Sequence, residues 1–433
     1  MGEIKIYNTV RGMRDLLPID AEKMRHIEQV SREISKLFGY DEIITPILES
    51  YELLAAKTSE EIRERMYTFK DLGGRKVAMR PEFTASVARL ISTRMRNEPK
   101  PIRFFSVGSL YRYDEPQYGR YREFWQSNYE LFGSDKPEAD AEILILTNNL
   151  LEKLGLKNYR FKIGHTGILR GLLNQEGLDD EKQNILRQLL DKKSWEEALK
   201  FAESTNLSQK CLVTLKQLLE IKGEDAFKVL ENVKDALAKY EVSIGAVDNL
   251  WNILKFIEDS GEKIDVMVEA GFARGLEYYT GMIFESYVPK LDIALGGGGR
   301  YDKLIQLFGG EPIPAVGVAQ GIDRISLALK KQKVRIKSDK NVRIAVISVK
   351  DETMAKTMEI SALLRKSGFM VETAVMGRSV SKALADANRR KVTHAVFIGP
   401  KELKVGKVVL REMKNGTQRN VSISKLTEEI LVN

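Results

Sequence analysis

The chain is poor in the residues from which many catalytic and metal-holding sites are made. One cysteine, Cys211, stands in 433 residues, so no disulfide can close within the chain and a zinc site built from thiolates is excluded. The three histidines, His26, His165 and His394, are far apart and lack ligand spacing, which argues against a histidine-rich metal centre and a histidine-based triad. Neither GxGxxG nor GxxxxGK[ST] occurs, so a nucleotide would have to be held by side chains rather than by a glycine cradle. No apolar run approaches the roughly 18 residues of a membrane helix, and the start, MGEIKIYNTVRGMRDLLP, has no apolar signal core. Gly2 is not followed by Ser or Thr at the sixth position, where Ile6 stands, so no myristoyl anchor is expected. The expectation is a cytoplasmic protein, without membrane partners, working through arginine, glutamate, glutamine, tyrosine and backbone groups.

The length predicts about three units at roughly 100 to 200 residues each. The net charge of +8 is unevenly spread: Lys331 to Asn433 carries +12 and the preceding residues −4. A basic C-terminal unit on a near-neutral body is the footprint of a module that meets a polyanion, because neutralising phosphates drives nucleic-acid affinity.

Met24, Ile27, Val30, Ile34 and Leu37 recur at helical spacing, predicting a helix over Ala21 to Phe38 that stops at Gly39. Glu42 to Leu48 reads as a strand, but Pro46 confines it to an edge or interface. Arg103 to Tyr113 and Glu123 to Phe132 read as a long hairpin around the exposed loop DEPQYGRY. From Gly167 to Glu262 the pattern turns helical and rich in Leu, Lys and Glu, predicting an inserted helical subdomain. Strand signals return at Ile264 to Ala270, Gly281 to Tyr287 and Ile293 to Leu295, followed by four glycines, 296 to 299. After the linker KKQKVRIKSDK, alternating strands and helices (Arg343 to Val349, Thr353 to Lys366, Phe369 to Val375, Val380 to Arg390, His394 to Ile398) predict a small, separate α/β domain with a largely parallel sheet.

Within the hairpin, Phe124, Gln126, Asn128 and Glu130 share one face by the period of two, and Trp125, Ser127, Tyr129 and Leu131 share the other. Such a polar face often meets solvent. Arg112 at the end of the partner strand, with Arg120 and Arg122 in the loop, makes instead a cationic mouth suited to a polyphosphate. In AVGVAQGIDRISLALK, Arg324 falls in the first turn of a helix, where a cation opposes the helix dipole unless it is solvated or an anion satisfies both. GFARGLEYYTG holds Arg274 between two glycines, then Tyr278 and Tyr279, a pattern equally readable as a turn with core tyrosines.

The order of these segments resembles the histidyl-tRNA synthetase family from end to end. RGMRDLLP (Arg11 to Pro18) resembles its N-terminal signature and LFGYDEIITPILES resembles class II motif 1, the dimer-interface element. LYRYDEPQYGRYREFWQ resembles motif 2, AVGVAQGIDRI resembles motif 3, and GFARGLEYYTG is similar to the histidine-specific signature. The motif 2 loop departs from the family at Asp114-Glu115-Pro116-Gln117, where glutamate then arginine is common, and Glu277 stands where aspartate is usual. The resemblance implies an α+β fold: a six-stranded antiparallel catalytic sheet flanked by helices, with a helical insertion and a C-terminal α/β anticodon-binding domain. The implied divisions are 1–166 (motifs 1 and 2), 167–262 (insertion), 263–330 (histidine signature and motif 3), 331–340 (linker) and 341–433 (anticodon binding).

By the same resemblance, Glu82 and Thr84 would hold the substrate α-ammonium with help from Gln126, and Glu130, Tyr278 and Tyr279 would form the rest of the histidine pocket, Glu130 and Tyr279 reading the imidazole. Arg112 would grip the ATP α-phosphate, Phe124 would stack on adenine, and Arg324 would lie beneath the adenine near the γ-phosphate. Arg274 would reach the α-phosphate from the histidine side, making Arg112 and Arg274 the catalytic pair. Gln117 and Arg120 would meet the tRNA acceptor end. ATP, Mg2+, L-histidine and tRNA(His) are the implied cofactors and substrates, a homodimer is the implied assembly, and no protein-bound metal is expected. A non-catalytic relative, resembling the accessory subunit of the ATP phosphoribosyltransferase of histidine biosynthesis, would typically lack the basic C-terminal module. A threonine-specific enzyme would need a zinc site that this composition does not supply.

Overall fold

Proline and glycine bracket the first long helix. In the computed structural model it runs Pro18–Leu37, three residues earlier than the periodicity predicts, because proline in the first turn forfeits an amide that would be unpaired anyway. Gly39 ends it with φ +72°, the left-handed conformation of a helix C-terminus. Residues 7–56, 60–117, 119–273, 278–289, 291, 294–334 and 342–431 are described, the side chains of 60 and 61 excepted. The chain divides into two compact units, 1–335 and 336–433.

The first unit is built on a nine-stranded sheet in the order Asp41–Glu42, Ile102–Tyr111, Glu123–Phe132, Ala315–Gly321, Ala294–Arg300, Met282–Tyr287, Arg160–His165, Val266–Glu269, Lys222–Gly223. This corrects the expected six-stranded antiparallel sheet. Neighbours from Ile102–Tyr111 to Arg160–His165 do pair antiparallel, but Asp41–Glu42 adds in parallel at one end, Val266–Glu269 adds in parallel at the other, and Lys222–Gly223 lies outermost. Val266–Glu269 lies inside the strand expected over Ile264 to Ala270, whereas Asp41–Glu42 and Lys222–Gly223 are two residues long, too short to carry a periodic signal. The strand predicted over Glu42 to Leu48 is two fragments, the second (Leu48–Ser50) pairing with Lys76–Met79, whose other edge takes Thr68–Lys70, in a separate small sheet. Pro46 stands between the fragments, where the ladder is interrupted.

One face of the large sheet packs on the helices Pro18–Leu37, Pro137–Lys153 and Ile322–Lys331, sharing a core that contains Ile27, Tyr129, Leu146, Phe161, Phe284 and Ile325. Six helices between Thr166 and Asp259 bury Leu186, Cys211, Leu230 and Leu250 in that same core. Cys211 is fully buried, as a small apolar residue would be, and burial pushes its thiol pKa up to about 12.

The second unit pairs Met370–Thr373, Arg343–Ser348 and His394–Ile398 in parallel. Lys407–Glu412 and Gln418–Ser422 then extend the sheet antiparallel, so two of its five strands depart from the parallel arrangement expected. No helix among the described residues is long and apolar enough to cross a membrane.

Candidate active site

The register of the sheet builds a groove with a floor of missing side chains. One row crosses it as Ser106, Asn128, Ala319, Gly297, Glu285 and Lys162; the next crosses as Phe104, Glu130, Gly317, Gly299, Ile283 and Gly164. The four glycines expected after a strand thus lie inside the strand Ala294–Arg300, where polar side chains flank residues with none. A Cβ on Gly317 would collide with Oε2 of Glu130 and lie 2.7 Å from the Tyr301 hydroxyl, so the two groups converge above bare backbone. The resulting cavity of about 740 Å³ falls in the size range of ligand sites and is lined by Glu82, Thr84, Arg112, Arg120, Phe124, Gln126, Asn128, Glu130, Tyr278, Tyr279, Tyr301 and Arg324, among others.

At its deep end two carboxyl groups face one another's field. Glu82 accepts the backbone N–H groups of Thr84 (2.5 Å) and Ala85 (2.9 Å), tying it to the start of the helix Thr84–Thr93. The Thr84 hydroxyl donates to Oε1 of Glu130 at 2.7 Å. Withdrawal from water raises the pKa of both carboxyls, that of Glu130 to about 8, with the charge of Glu82 adding to the effect. Oε2 of Glu130, Oε1 of Gln126, Oδ1 of Asn128 and the Tyr301 hydroxyl are buried and have no hydrogen-bond partner among the described residues. Buried polar atoms are normally paired, so a cluster of unpaired acceptors in one cavity marks a place for a ligand's donors. Tyr278 and Tyr279 close this end, their rings 4.9 Å apart, with Tyr278 edge-on to Tyr301.

The other end is cationic. Arg112 donates from Nε to the Pro81 carbonyl at 2.9 Å and lies 5.2 Å from the centre of the Phe124 ring. Desolvation lowers its pKa, against the pull of Asp114 and Glu82. Arg324, the third residue of the helix Ile322–Lys331, donates from Nη1 to the Ala294 carbonyl at 3.1 Å. Its neighbour Asp323 is buried, accepts the Trp125 amide at 2.7 Å and pairs with Arg14.

The structure therefore gathers Glu82, Thr84, Arg112, Phe124, Gln126, Glu130, Tyr278, Tyr279, Arg324 and, at the rim, Arg120 around one cavity. Gln117 is exposed and exchanges backbone hydrogen bonds with Arg120 across a tight turn, outside the lining. Arg274 lies outside the described residues. Arg122, read as part of a cationic mouth, is instead a buried strut: it donates to the carbonyls of Asp114 (3.1 Å) and Arg11 (3.2 Å) and stacks on Tyr113. Gly12, at φ +85°, leaves room for its side chain, which explains why RGMRDLLP needs a glycine there. Sequence reasoning left Asn128 without a role and missed Tyr301; the signal for Tyr301 was its place directly after the glycine strand, one residue out of phase with buried Arg300. His165 accepts the Gly167 amide at 3.0 Å and caps a helix, a structural duty. No group of three or more potential metal-ligating side chains occurs among the described residues.

An open, mostly antiparallel sheet that presents arginines, with no glycine-loop cradle, defines the class: the chain is a class II aminoacyl-tRNA synthetase. The family description "Histidyl-tRNA synthetase" matches residues 12–325, and "Anticodon binding domain" matches 342–433. The histidine–tRNA ligase of Methanocaldococcus jannaschii is 40% identical over 424 residues, covering 98% of this chain and 99% of that protein, and that of Saccharolobus solfataricus is 37% identical over 427 residues, covering 98% of each. The apo histidyl-tRNA synthetase of S. aureus superposes with a TM-score of 0.71 at 25% identity, over 98% of this chain and all of that one. A Bacillus halodurans structure titled ATP phosphoribosyltransferase regulatory subunit/histidyl-tRNA synthetase gives 0.77 at 26%, over 91% of this chain and 99% of that one. The chain belongs to the histidyl-tRNA synthetase family.

Proposed function

We propose that this chain is a histidine–tRNA ligase that activates L-histidine with ATP and transfers the histidyl group to the 3′ end of tRNA(His). The observation that carries this reading is the set of unpaired buried acceptors on Gln126 and Glu130, beside Thr84, at one end of a cavity whose other end holds Arg112 and Arg324. The histidine carboxylate attacks the α-phosphorus, a new P–O bond forms, and pyrophosphate leaves, giving histidyl-adenylate. A terminal ribose hydroxyl of the tRNA then attacks the acyl carbon and AMP leaves. Neither step needs a covalent enzyme intermediate. The protein's contribution is placement and compensation of the phosphoryl charge by guanidinium groups that stay protonated even when partly desolvated. Arg112 meets the α-phosphate on one side and Arg274 meets it on the side of histidine; Phe124 and Arg324 sandwich the adenine. ATP would enter as its magnesium complex, and the ion, held chiefly by phosphates and water, would add to the compensation of phosphoryl charge.

Glu130 and Tyr279 select the imidazole, and rejection of isosteres is strong because they would leave those buried groups unpaired. Glu82, Thr84 and Gln126 hold the amine. The basic C-terminal residues, within the matched anticodon-binding segment, take the anticodon arm of the tRNA, and Gln117 and Arg120 meet its acceptor end. Ile44, Ile47 and Leu48 expose apolar surface on the motif 1 segment, which supports a homodimer through that element. Charging of a tRNA(His) transcript with labelled histidine tests the reading, and absence of charging by the active-site-titrated chain would sink it. Arg274→Ala lowers histidine-dependent pyrophosphate exchange by about 100-fold or more with an unchanged melting temperature. Undiminished exchange removes Arg274 from the mechanism.

A further inference from the structure

Asn128 is 1% exposed, lines the cavity, and keeps Oδ1 without a hydrogen-bond partner among the described residues. Its side chain also hydrogen-bonds the Glu130 carboxyl. An amide carbonyl oxygen can only accept, so the spare Oδ1 calls for a donor. Its row neighbours cannot satisfy it: Ala319 offers a methyl, Gly297 offers nothing, and the Ser106 hydroxyl donates to the Ile43 carbonyl. A buried carbonyl of this kind has lost its water and gained nothing in return unless a ligand supplies a donor.

We propose that Asn128 is a specificity-determining residue whose Oδ1 accepts a hydrogen bond from the α-ammonium group of the bound amino acid. The proposal rests on the amino-acid site assigned above and adds a contact to it. An ammonium carries three N–H donors and is best held by as many acceptors. Both Glu82 oxygens already accept backbone amides, so it contributes mainly charge. Gln126 and Asn128, two residues apart on the same strand face, present the carbonyl oxygens that have nothing else to accept. Glu130, one step deeper and flanked by Tyr279 and Tyr301, is left for the ring.

The test compares L-histidine with 3-(imidazol-4-yl)propionate, which is histidine without its amino group, as ligands of the full-length chain. Calorimetric dissociation constants of both are measured for the parent protein and for Asn128→Ala. The expected result is a 10- to 100-fold weaker binding of histidine with the deamino compound unaffected, the size of one charge-assisted hydrogen bond. KM for histidine rises in parallel while kcat at saturation is largely kept. Equal weakening of both ligands indicates a merely structural asparagine and overturns the proposal, as does no weakening of either. If Asn128→Ala does not fold, Asn128→Ser is read by the same ratio: selective loss of histidine binding supports the contact, and a parallel loss overturns it. A parent chain with no histidine-dependent pyrophosphate exchange removes the amino-acid site itself, a failure recognisable without any variant.

Discussion

Two buried charged clusters sit on opposite faces of the same sheet, and they differ in whether their hydrogen bonds are complete. Arg300, on the helix-packed face, donates to Asp140 from Nε and Nη2, to Asp302 and the Ser134 carbonyl from Nη1, and to the Lys136 carbonyl from Nη2. On the groove face, Glu130 has one oxygen held by Thr84 and the other unpaired, beside unpaired atoms of Gln126, Asn128 and Tyr301. Burial raises the carboxyl pKa in both clusters, Asp140 to about 6 and Glu130 to about 8, so a perturbed pKa alone does not tell structure from function. Completeness does. A saturated cluster closes the fold, whereas an unsaturated one carries a cost that only a ligand offsets.

The sharpest way to break this contrast is to remove one member from each side. Asp140→Ala leaves the buried Arg300 with Asp302 as its one remaining carboxylate and should lower stability by about 3 kcal/mol, read as a lower urea midpoint, with histidine affinity of the remaining folded protein unchanged. Glu130→Gln should do the reverse, changing the midpoint little while kcat/KM for histidine falls by about 100-fold or more. An Asp140→Ala chain of full stability, or a Glu130→Gln chain of full activity, would undo the assignment of either cluster.

A smaller effect sharpens it through pH. Glu130 keeps its proton up to about 8 when folded, well above the ordinary glutamate value of the unfolded chain. Between those values the folded state binds the extra proton, so the contribution is complete at the acid end and is lost as pH rises through about 8. Stability of the empty protein should fall from pH 6 to pH 8.5 relative to Glu130→Gln, measured by denaturant titration at each pH. His165, whose pKa burial pulls down to about 4, acts oppositely at lower pH and cancels in that comparison.

How far the sequence disclosed this arrangement varies along the chain for physical reasons. The strand Glu123–Phe132 was legible to the residue because Gln126, Asn128 and Glu130 alternate with Trp125, Tyr129 and Leu131 along it. The strand Ala294–Arg300 was not, since four glycines carry no pattern and their place is fixed by what packs over them. Arg160–His165 and the hairpin Lys407–Glu412 with Gln418–Ser422 escaped notice because pairing partners distant in the chain, or outside any periodic window, complete them. Of the site, residue types and order pointed to Arg112, Glu130 and Arg324, while the buried role of Arg122 depended on its contact with residue 11 across the fold. The convergence of Glu130 and Tyr301 over Gly317 depends on register, which no local reading supplies.

The central claim is that the unpaired acceptors on the groove face await histidine's donors while the arginines await a triphosphate. Amino-acid-dependent ATP–pyrophosphate exchange by the purified chain, run with each of the twenty amino acids, tests it most directly. The account predicts exchange with histidine alone; exchange driven by another amino acid, or by none, would contradict it.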